Sequence, residues 1–328
     1  MANPLTSSGS FFPKPDYGKM PSRKKEMPEG LWTKCPECSA YIFNKELESL
    51  QMVCKECHHH FNIPAHQRIQ HLLDEGTWQE FDANVTSVDI LKFTGATSYS
   101  DQLAKYRKKT GLNEGVVCGL GKIEGHAVSV AVMDFNFLGG SMGSVIGDKI
   151  TRAIERATEG GVPVLIFSAS GGARMHEGMF SLMQMAKTSG ALSRHAEAGL
   201  PFISILTHPT MGGVTASFAT LGDLNIAEPK AMIGFAGARV LKETTRQDLP
   251  KGFQTAEFLL ERGLVDRIIP RLEMRVELSK ILGYLGRRPA ARKTNGVSRK
   301  TAPVRSAQAE PHALPIQRNG HAKDAAKG

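Results

Sequence analysis

From residue 116 onward the chain alternates dense apolar runs with stretches whose apolar positions recur at helical spacing. The runs predict strands and the 3.6-residue period predicts helices. GVVCGLGKIEGHAVSVAVMDF reads as two strands, Val116–Lys122 and Ala127–Phe135, turning at Glu124 and Gly125. After a glycine-rich loop, NFLGGSMG, the segment VIGDKITRAIERATEG places Val145, Ile146, Ile150, Ala153, Ile154 and Ala157 on one helical face. Strand VPVLIF, helix MHEGMFSLMQMAKTSGALSRHAEAG, strand PFISIL and helix VTASFATLG follow. LNIAEP and AMIGFAG read as short strands, ARVLKETTRQ and TAEFLLERG as helices, LVDRIIP as a last strand and EMRVELSKILGYLG as a last helix. Upstream, QLAKYRKKT is helix-like and basic. Strands alternating with helices imply an α/β fold with a mainly parallel sheet. The methionines of the long helix, Met175, Met179, Met183 and Met185, read as core packing.

Two of the strand-to-helix junctions share an unusual feature. VPVLIF leads through Ser168 and Ser170 to Gly171 and Gly172, and PFISIL leads through THPTM to Gly212 and Gly213. Glycine lets the backbone turn sharply and approach a ligand with no Cβ in the way. The first N–H groups of a helix have no partner inside it, and the helix dipole favours negative charge there. Each junction therefore reads as a candidate donor site for an oxyanion. A lone Gly-Gly pair could be mere packing; two in consecutive strand–helix units point to function.

A different chemistry is written near the N-terminus. In LWTKCPECSAYIFNKELESLQMVCKECHHHF, Cys35 and Cys38 form one C-x-x-C knuckle and Cys54 and Cys57 another. The intervening segment is long enough for a hairpin that returns the second pair to the first. Four thiolates with no open position make a closed, structural zinc site. His58, His59 and His60 follow, but the shell is already filled, so they are expected to be exposed or hydrogen-bonded to a sulfur.

The net charge of +9 does not point to nucleic acid once it is located. Residues 287–328 hold ten Lys or Arg and two Asp or Glu, which leaves the rest of the chain close to neutral. That tail is rich in Pro, Ala, Gly and Arg, and its composition cannot offset the entropy of ordering. The expected organisation is a leader over 1–26, a zinc ribbon over 27–66, a large domain over 67–286 and a disordered basic tail over 287–328. No apolar stretch approaches the length of a membrane span, and the first residues lack a secretory pattern, so the cytoplasm is the expected location. Close cysteine pairs also fit thiolate ligands in a reducing compartment.

Other mechanisms find weaker support. There is no G-x-S-x-G elbow, and no Walker lysine follows the glycines, so no ATP site is expected. GLGKIEG falls inside the predicted hairpin instead of opening a helix, which weakens a dinucleotide reading. A serine hydrolase using Ser170 would need a base, with Lys149, His176 and His208 as candidates. A zinc ribbon can also serve a nucleic-acid binder.

The motifs taken together resemble a known family. C-P-x-C…C-x-x-C-H, MDFNFLGGSMGSVIGDKI, SASGGARM, MQMAKTSGAL, TMGGVTASFATLGDLNIAEP and IGFAGARV are similar to the carboxyltransferase beta subunit of bacterial multi-subunit acetyl-CoA carboxylase. The resemblance runs from about Leu31 to about Leu285, so the leader and tail lie outside it. It implies a crotonase-like spiral of β-β-α units behind the zinc ribbon. It implies transfer of a carboxyl group from carboxybiotin, borne on a biotin carboxyl carrier protein, to acetyl-CoA, giving malonyl-CoA for fatty acid synthesis. It assigns oxyanion stabilisation to backbone amides of the Gly-Gly pairs, Gly212 and Gly213 first and Gly171 and Gly172 second. Related single-chain carboxylases hold two copies of the fold. One copy here implies a homologous alpha subunit, two of each in the assembly, and a separate biotin carboxylase for the ATP-dependent step.

Overall fold

In the computed structural model, residues 31–286 are described, except for the side chains of residues 238 and 239. The leader and the basic tail lie outside the described residues.

An N-terminal ribbon is built from β1 (Trp32–Lys34) and β2 (Tyr41–Phe43), which pair antiparallel. The long hairpin expected between the cysteine pairs does not form. The helix α1 (Asn44–Ser49) takes its place, burying Leu47 against Ile42, Cys35 and Cys54. NKELES carries good helix formers and no β-branched residue, so a single helical turn outcompetes a second strand.

Behind the ribbon come α2 (Ala65–Leu72), β3 (Gln79–Phe81), α3 (Tyr99–Thr110), β4 (Val116–Ile123) and β5 (His126–Met133). The chain continues through α4 (Ser144–Gly160), β6 (Val164–Ser170), α5 (Met179–Glu197), β7 (Phe202–Met211) and α6 (Gly212–Thr215). It closes with β8 (Leu224–Ala227), β9 (Ile233–Gly234), α7 (Ala238–Thr245), α8 (Ala256–Leu260), β10 (Arg267–Ile268) and α9 (Arg271–Leu285). The eight-stranded sheet runs β10-β8-β7-β6-β5-β4-β3, with β9 paired to the end of β7. β4 pairs antiparallel with both β3 and β5, and the pairs from β5 to β10 are parallel.

Burial on both faces explains why VPVLIF shows no alternation. Val164 and Ile166 face the core under α4 and α5, whereas Leu165 and Phe167 face the core under α2 and α9. The glycines of GLGKIEG serve this packing. A Cβ on Gly119 would come within 2.5 Å of the Trp78 ring, and one on Gly121 within 2.5 Å of Leu73.

Two expected elements differ, and two observed ones were not expected. β7 runs through the THPTM segment that reads as loop, pairing Thr210 with Ser170 and Ile233. The helix expected over VTASFATLG breaks after α6, and a 3-10 turn spans Phe218–Thr220. Ser217 Oγ donates to Gly213 O at 2.6 Å, and Thr220 Oγ1 to Thr215 O at 3.0 Å. Side-chain hydroxyls thus occupy carbonyls that a continuous helix would use. The short α2 and β3 carry too few residues for their periods to stand out in the sequence.

A buried ion cluster fastens the ribbon to the sheet. Arg271 opens α9 and grips Glu228, which follows β8, with Nε–Oε1 at 2.8 Å and Nη2–Oε2 at 2.7 Å. Arg68 of α2 reaches the same carboxylate at 2.8 Å. The remaining Arg271 donor binds ribbon-side carbonyls, Gln51 O at 2.9 Å and Phe61 O at 3.0 Å. His60 is buried, not exposed as expected, and its Nε2 accepts the Arg271 N–H at 3.1 Å, capping α9. Its Nδ1 lies 2.9 Å from His58 O, so the proton sits on Nδ1.

Burial alone would raise the Glu228 carboxyl, but Arg68 and Arg271 more than offset this and hold it well below the usual carboxylate range. A folded pKa below the unfolded one contributes stability that is complete above the unfolded value, about 4.3, and lost as pH falls through the folded value. Glu228→Gln leaves two buried guanidinium groups without a carboxylate and is expected to cost about 3–5 kcal/mol. Urea unfolding at neutral pH checks this; a midpoint equal to wild type would show that the cluster does not secure the fold.

Candidate active site

The two Gly-Gly turns, 41 residues apart in sequence, meet at the C-terminal ends of β6 and β7. A Cβ on Gly212 would lie 3.0 Å from Gly172 Cα, and one on Gly172 would lie 3.3 Å from Gly212 Cα. Gly172 and Gly212 have φ of +121° and +60°, values that L side chains disfavour. In parallel α/β sheets this end of the strands is where ligands bind.

The hydrogen bonds separate the four amides. Gly171 N–H donates to Gly139 O at 2.8 Å, Gly172 N–H to Ser170 Oγ at 3.0 Å and Gly212 N–H to Phe235 O at 3.0 Å. Gly213 N–H donates to no acceptor among the described residues. Ala173 N–H, which the sequence did not single out, likewise has no acceptor among them. The two free donors are neighbours: a Cβ on Gly172 would be 3.6 Å from Gly213 N, and one on Gly213 would be 3.8 Å from Ala173 N.

The direction of the Ala173 donor is fixed by the rest of its peptide. Gly172 O accepts from Met142 N at 2.8 Å, and Arg174 N donates to Met142 O at 2.9 Å. In a planar trans peptide the N–H points opposite to the C=O. With Gly172 O turned toward the 139–142 loop, Ala173 N–H faces away from it.

Beneath this turn lies a buried polar cluster. Arg174 is fully buried, and its Nη2 meets Glu114 Oε1 at 2.7 Å and Ser141 O at 2.8 Å. Nη1 donates to Tyr99 OH at 3.0 Å and Ser87 Oγ at 3.2 Å. Tyr99 OH donates to Glu177 Oε1 at 2.6 Å, and Glu177 Oε2 accepts Ser144 N at 2.6 Å, the first turn of α4. Burial alone would raise the Glu114 carboxyl, but Arg174 holds it below its ordinary value. Burial pushes the Tyr99 phenol up, so it stays a donor. The only clue in the sequence was a charged residue following small ones in SASGGARM.

Ser170 does not sit as a nucleophile. Its hydroxyl is buried and tied to Gly172, and none of Lys149, His176 and His208 is bonded to it. Lys149 Nζ donates to Val116 O at 2.8 Å, and His208 Nδ1 accepts from Met232 N at 3.2 Å. His176 stacks on Tyr99 with ring centres 4.9 Å apart.

The methionine stripe is corrected. Met175, Met179 and Met183 are 81%, 66% and 58% exposed, and only Met185 packs against the core. Ser181, Gln184, Thr188, Ala191 and Leu192 are buried on α5 in their place. A period marks an apolar face, but core and surface faces share it.

The four ribbon sulfurs gather as expected. All Sγ atoms of Cys35, Cys38, Cys54 and Cys57 lie within 4.8 Å of one another, with Cys35–Cys57 at 3.6 Å and Cys38–Cys54 at 3.7 Å. A tetrahedron with Zn–S bonds of about 2.3 Å has edges of about 3.8 Å. The donor set fits a closed, structural zinc site. Cys35→Ala is expected to release the metal and destabilise the ribbon, since three thiolates no longer close the shell. Elemental analysis of the full chain checks this; unchanged zinc in the variant would overturn the assignment.

Comparison with known proteins agrees with this picture. Residues 64–256 match the carboxyl transferase domain, and residues 32–57 match the acetyl-CoA carboxylase zinc finger domain. The acetyl-coenzyme A carboxylase carboxyl transferase subunit beta of Pelobacter propionicus is 59% identical over 82% of this chain and 94% of its own length. That of Methylacidiphilum infernorum is 58% identical over 82% and 98%. Among solved structures, transcarboxylase 12S with hydrolysed methylmalonyl-coenzyme A bound superposes with a TM-score of 0.58 at 26% identity, over 73% of this chain and 42% of that one. A Pseudomonas malonate decarboxylase MdcD-MdcE heterodimer shares the fold at a TM-score of 0.53 and 24% identity, over 70% and 88%. The fold is crotonase-like, and with its zinc ribbon the chain belongs to the carboxyl transferase beta subunits of acetyl-CoA carboxylase.

Proposed function

We propose that Gly213 N–H and Ala173 N–H bind the thioester oxygen of acetyl-CoA as it becomes an enolate, and that the enolate carbon takes the carboxyl group of carboxybiotin to give malonyl-CoA. The observation that carries this reading is the pair of unclaimed donors side by side at the ends of β6 and β7. Charge develops on that oxygen only as the methyl proton leaves, so fixed donors favour the transition state over the bound thioester. The partners of the Gly-Gly turns are backbone groups and the hydroxyls of Ser170 and Ser217, not a side-chain base. That supports a scheme in which the proton passes to the biotin nitrogen freed as its bond to the carboxyl carbon breaks. Carboxybiotin is thus a second substrate, delivered on a biotin carboxyl carrier protein after a separate biotin carboxylase has loaded it.

Gly171 and Gly172 have a supporting role in this reading. Their amides are spent inside the turn, and their value lies in letting β6 come against the Gly212 backbone. The donors for the biotin oxygen belong to a homologous alpha subunit with equivalent turns, two of each subunit forming the assembly. A surface suited to such a companion is present. Met175, Met179, Phe180 and Met183 are exposed beside Val88, Ile90 and Leu91. Leu91 reaches Gly178, where a Cβ would be 3.5 Å away, and Phe93 packs on His176. Contiguous exposed apolar residues of this kind mark protein contacts. Among the described residues no helix is long and apolar enough to cross a membrane, and a CoA-dependent step fits the cytoplasm.

The test is malonyl-CoA-dependent carboxylation of free biotin by the full chain co-purified with its alpha subunit. Gly213→Val is expected to lower turnover about a hundredfold or more, as for loss of one oxyanion donor. Ser170→Ala is expected to lose about 1 kcal/mol of stability with its bond to Gly172 N, yet keep most of its turnover. Full activity in a folded Gly213→Val, or abolition by Ser170→Ala alone, would overturn the assignment.

A further inference from the structure

The polar cluster under the first turn touches none of the reacting groups proposed for carboxyl transfer, and its make-up is unusual for a merely structural element. One guanidinium and two carboxylates, Arg174, Glu114 and Glu177, are buried together with Tyr99 and Ser87. Burying such charges is costly, and apolar residues of similar volume commonly serve stability as well or better. What the cluster provides that an apolar core does not is direction.

Its arginine bears on the peptide that carries the Ala173 donor through the 139–142 loop. Arg174 is the next residue, yet its side chain folds back to grip the opposite loop, with Nη2 and Nε both directed at Ser141 O, at 2.8 and 3.2 Å. The residue after Ser141 is Met142, whose N–H holds Gly172 O and whose carbonyl holds Arg174 N. The guanidinium and the backbone ladder thus clamp the 139–142 loop from two sides. Glu114 fixes the guanidinium plane from β4's approach through two oxygens, at 2.7 and 3.2 Å. Glu177 ties the same cluster to the start of α4 through Ser144 N. Rotation of the Gly172–Ala173 peptide would require breaking this clamp.

We propose that Arg174 is a positioning residue for carboxyl transfer: held by Glu114 and Tyr99, it locks the 139–142 loop so that the Ala173 N–H points at the developing enolate oxygen. This rests on the assignment of Ala173 and Gly213 as oxyanion donors. Arg174 touches neither substrate. Its planar fork bonds Ser141, Glu114 and Tyr99 at once, which a lysine ammonium on a flexible stem does not reproduce. The role is therefore lost in Arg174→Lys although the charge stays. Glu114→Gln keeps the shape of the partner but exchanges one acceptor for a donor facing the guanidinium.

The experiment measures kcat and KM for malonyl-CoA in the full chain co-purified with its alpha subunit, for Arg174→Lys, Glu114→Gln and Gly213→Val. Zinc content, thermal midpoint and co-purification report whether each variant folds and assembles. A donor turned out of line lowers kcat with little change in KM, because its interaction is made in the transition state. Arg174→Lys is expected to lose roughly tenfold to a hundredfold in kcat, with KM within about threefold of wild type. Glu114→Gln is expected to follow in the same direction, and carries the test if Arg174→Lys does not assemble. Wild-type kcat in both assembled variants, or a loss confined to KM, overturns the role of Arg174. Failure of both variants to assemble also overturns it, since the cluster then serves the fold. Full activity in assembled Gly213→Val instead sinks the donor assignment itself, whatever the Arg174 variants do.

Discussion

Gly172 and Gly212 approach each other so closely that a side-chain carbon on Gly212 would lie 3.0 Å from the other glycine's Cα. The rest of the site depends on that approach. It brings together the ends of two neighbouring parallel strands, so that the two donors proposed for the enolate oxygen come from adjacent turns. It also consumes the amides of the glycines that make it possible. Gly171 donates to a loop carbonyl, Gly172 to a hydroxyl and Gly212 to the Phe235 carbonyl in the bend after β9. The donors left over, Ala173 and Gly213, stand one residue beyond the contact on each side. The glycine pair is thus better understood as a hinge for close approach than as two equivalent donors.

Much of the large domain was legible because its strands and helices are long and strongly patterned. β4, β5, α4 and β6 follow from apolar periodicity alone, and the two C-x-x-C knuckles carry their chemistry in their spacing. What escaped has a common physical origin. The clusters around Arg174 and Glu228 join residues 60 and 160 positions apart, Glu114 with Arg174 and Arg68 with Glu228. No local pattern announces such partners. The methionine stripe failed differently: its signal was real, but an exposed apolar face has the same spacing as one that packs on the core. The free amide of Ala173 was invisible because a backbone donor has no letter in the sequence.

The two buried ion clusters divide the work. One sits under the 139–142 loop and the first turn. The other joins α2, the residue after β8 and the start of α9 to the ribbon. Both contain more than one guanidinium–carboxylate contact, and in both an arginine also binds backbone carbonyls. A backbone segment with no regular secondary structure is thereby held as firmly as a strand. That suits the proposed site, in which the acting groups are peptide N–H donors, since such donors are only as well aimed as the loops that carry them.

The anchoring of the ribbon by Arg271 has a consequence for the order in which the chain takes shape. The ribosome makes the ribbon before the sheet, and its cysteines are complete once Cys57 has emerged. Its dock is not: the Arg271 N–H that caps onto His60 lies 211 residues later. Between the two events the whole eight-stranded sheet must be synthesised. During that interval the ribbon has only its own small core, four buried residues with Leu47 and Ile42 at the centre. A module this small depends on its metal to stay folded. Zinc is therefore needed well before the enzyme exists, to preserve the shape that α9 will eventually receive.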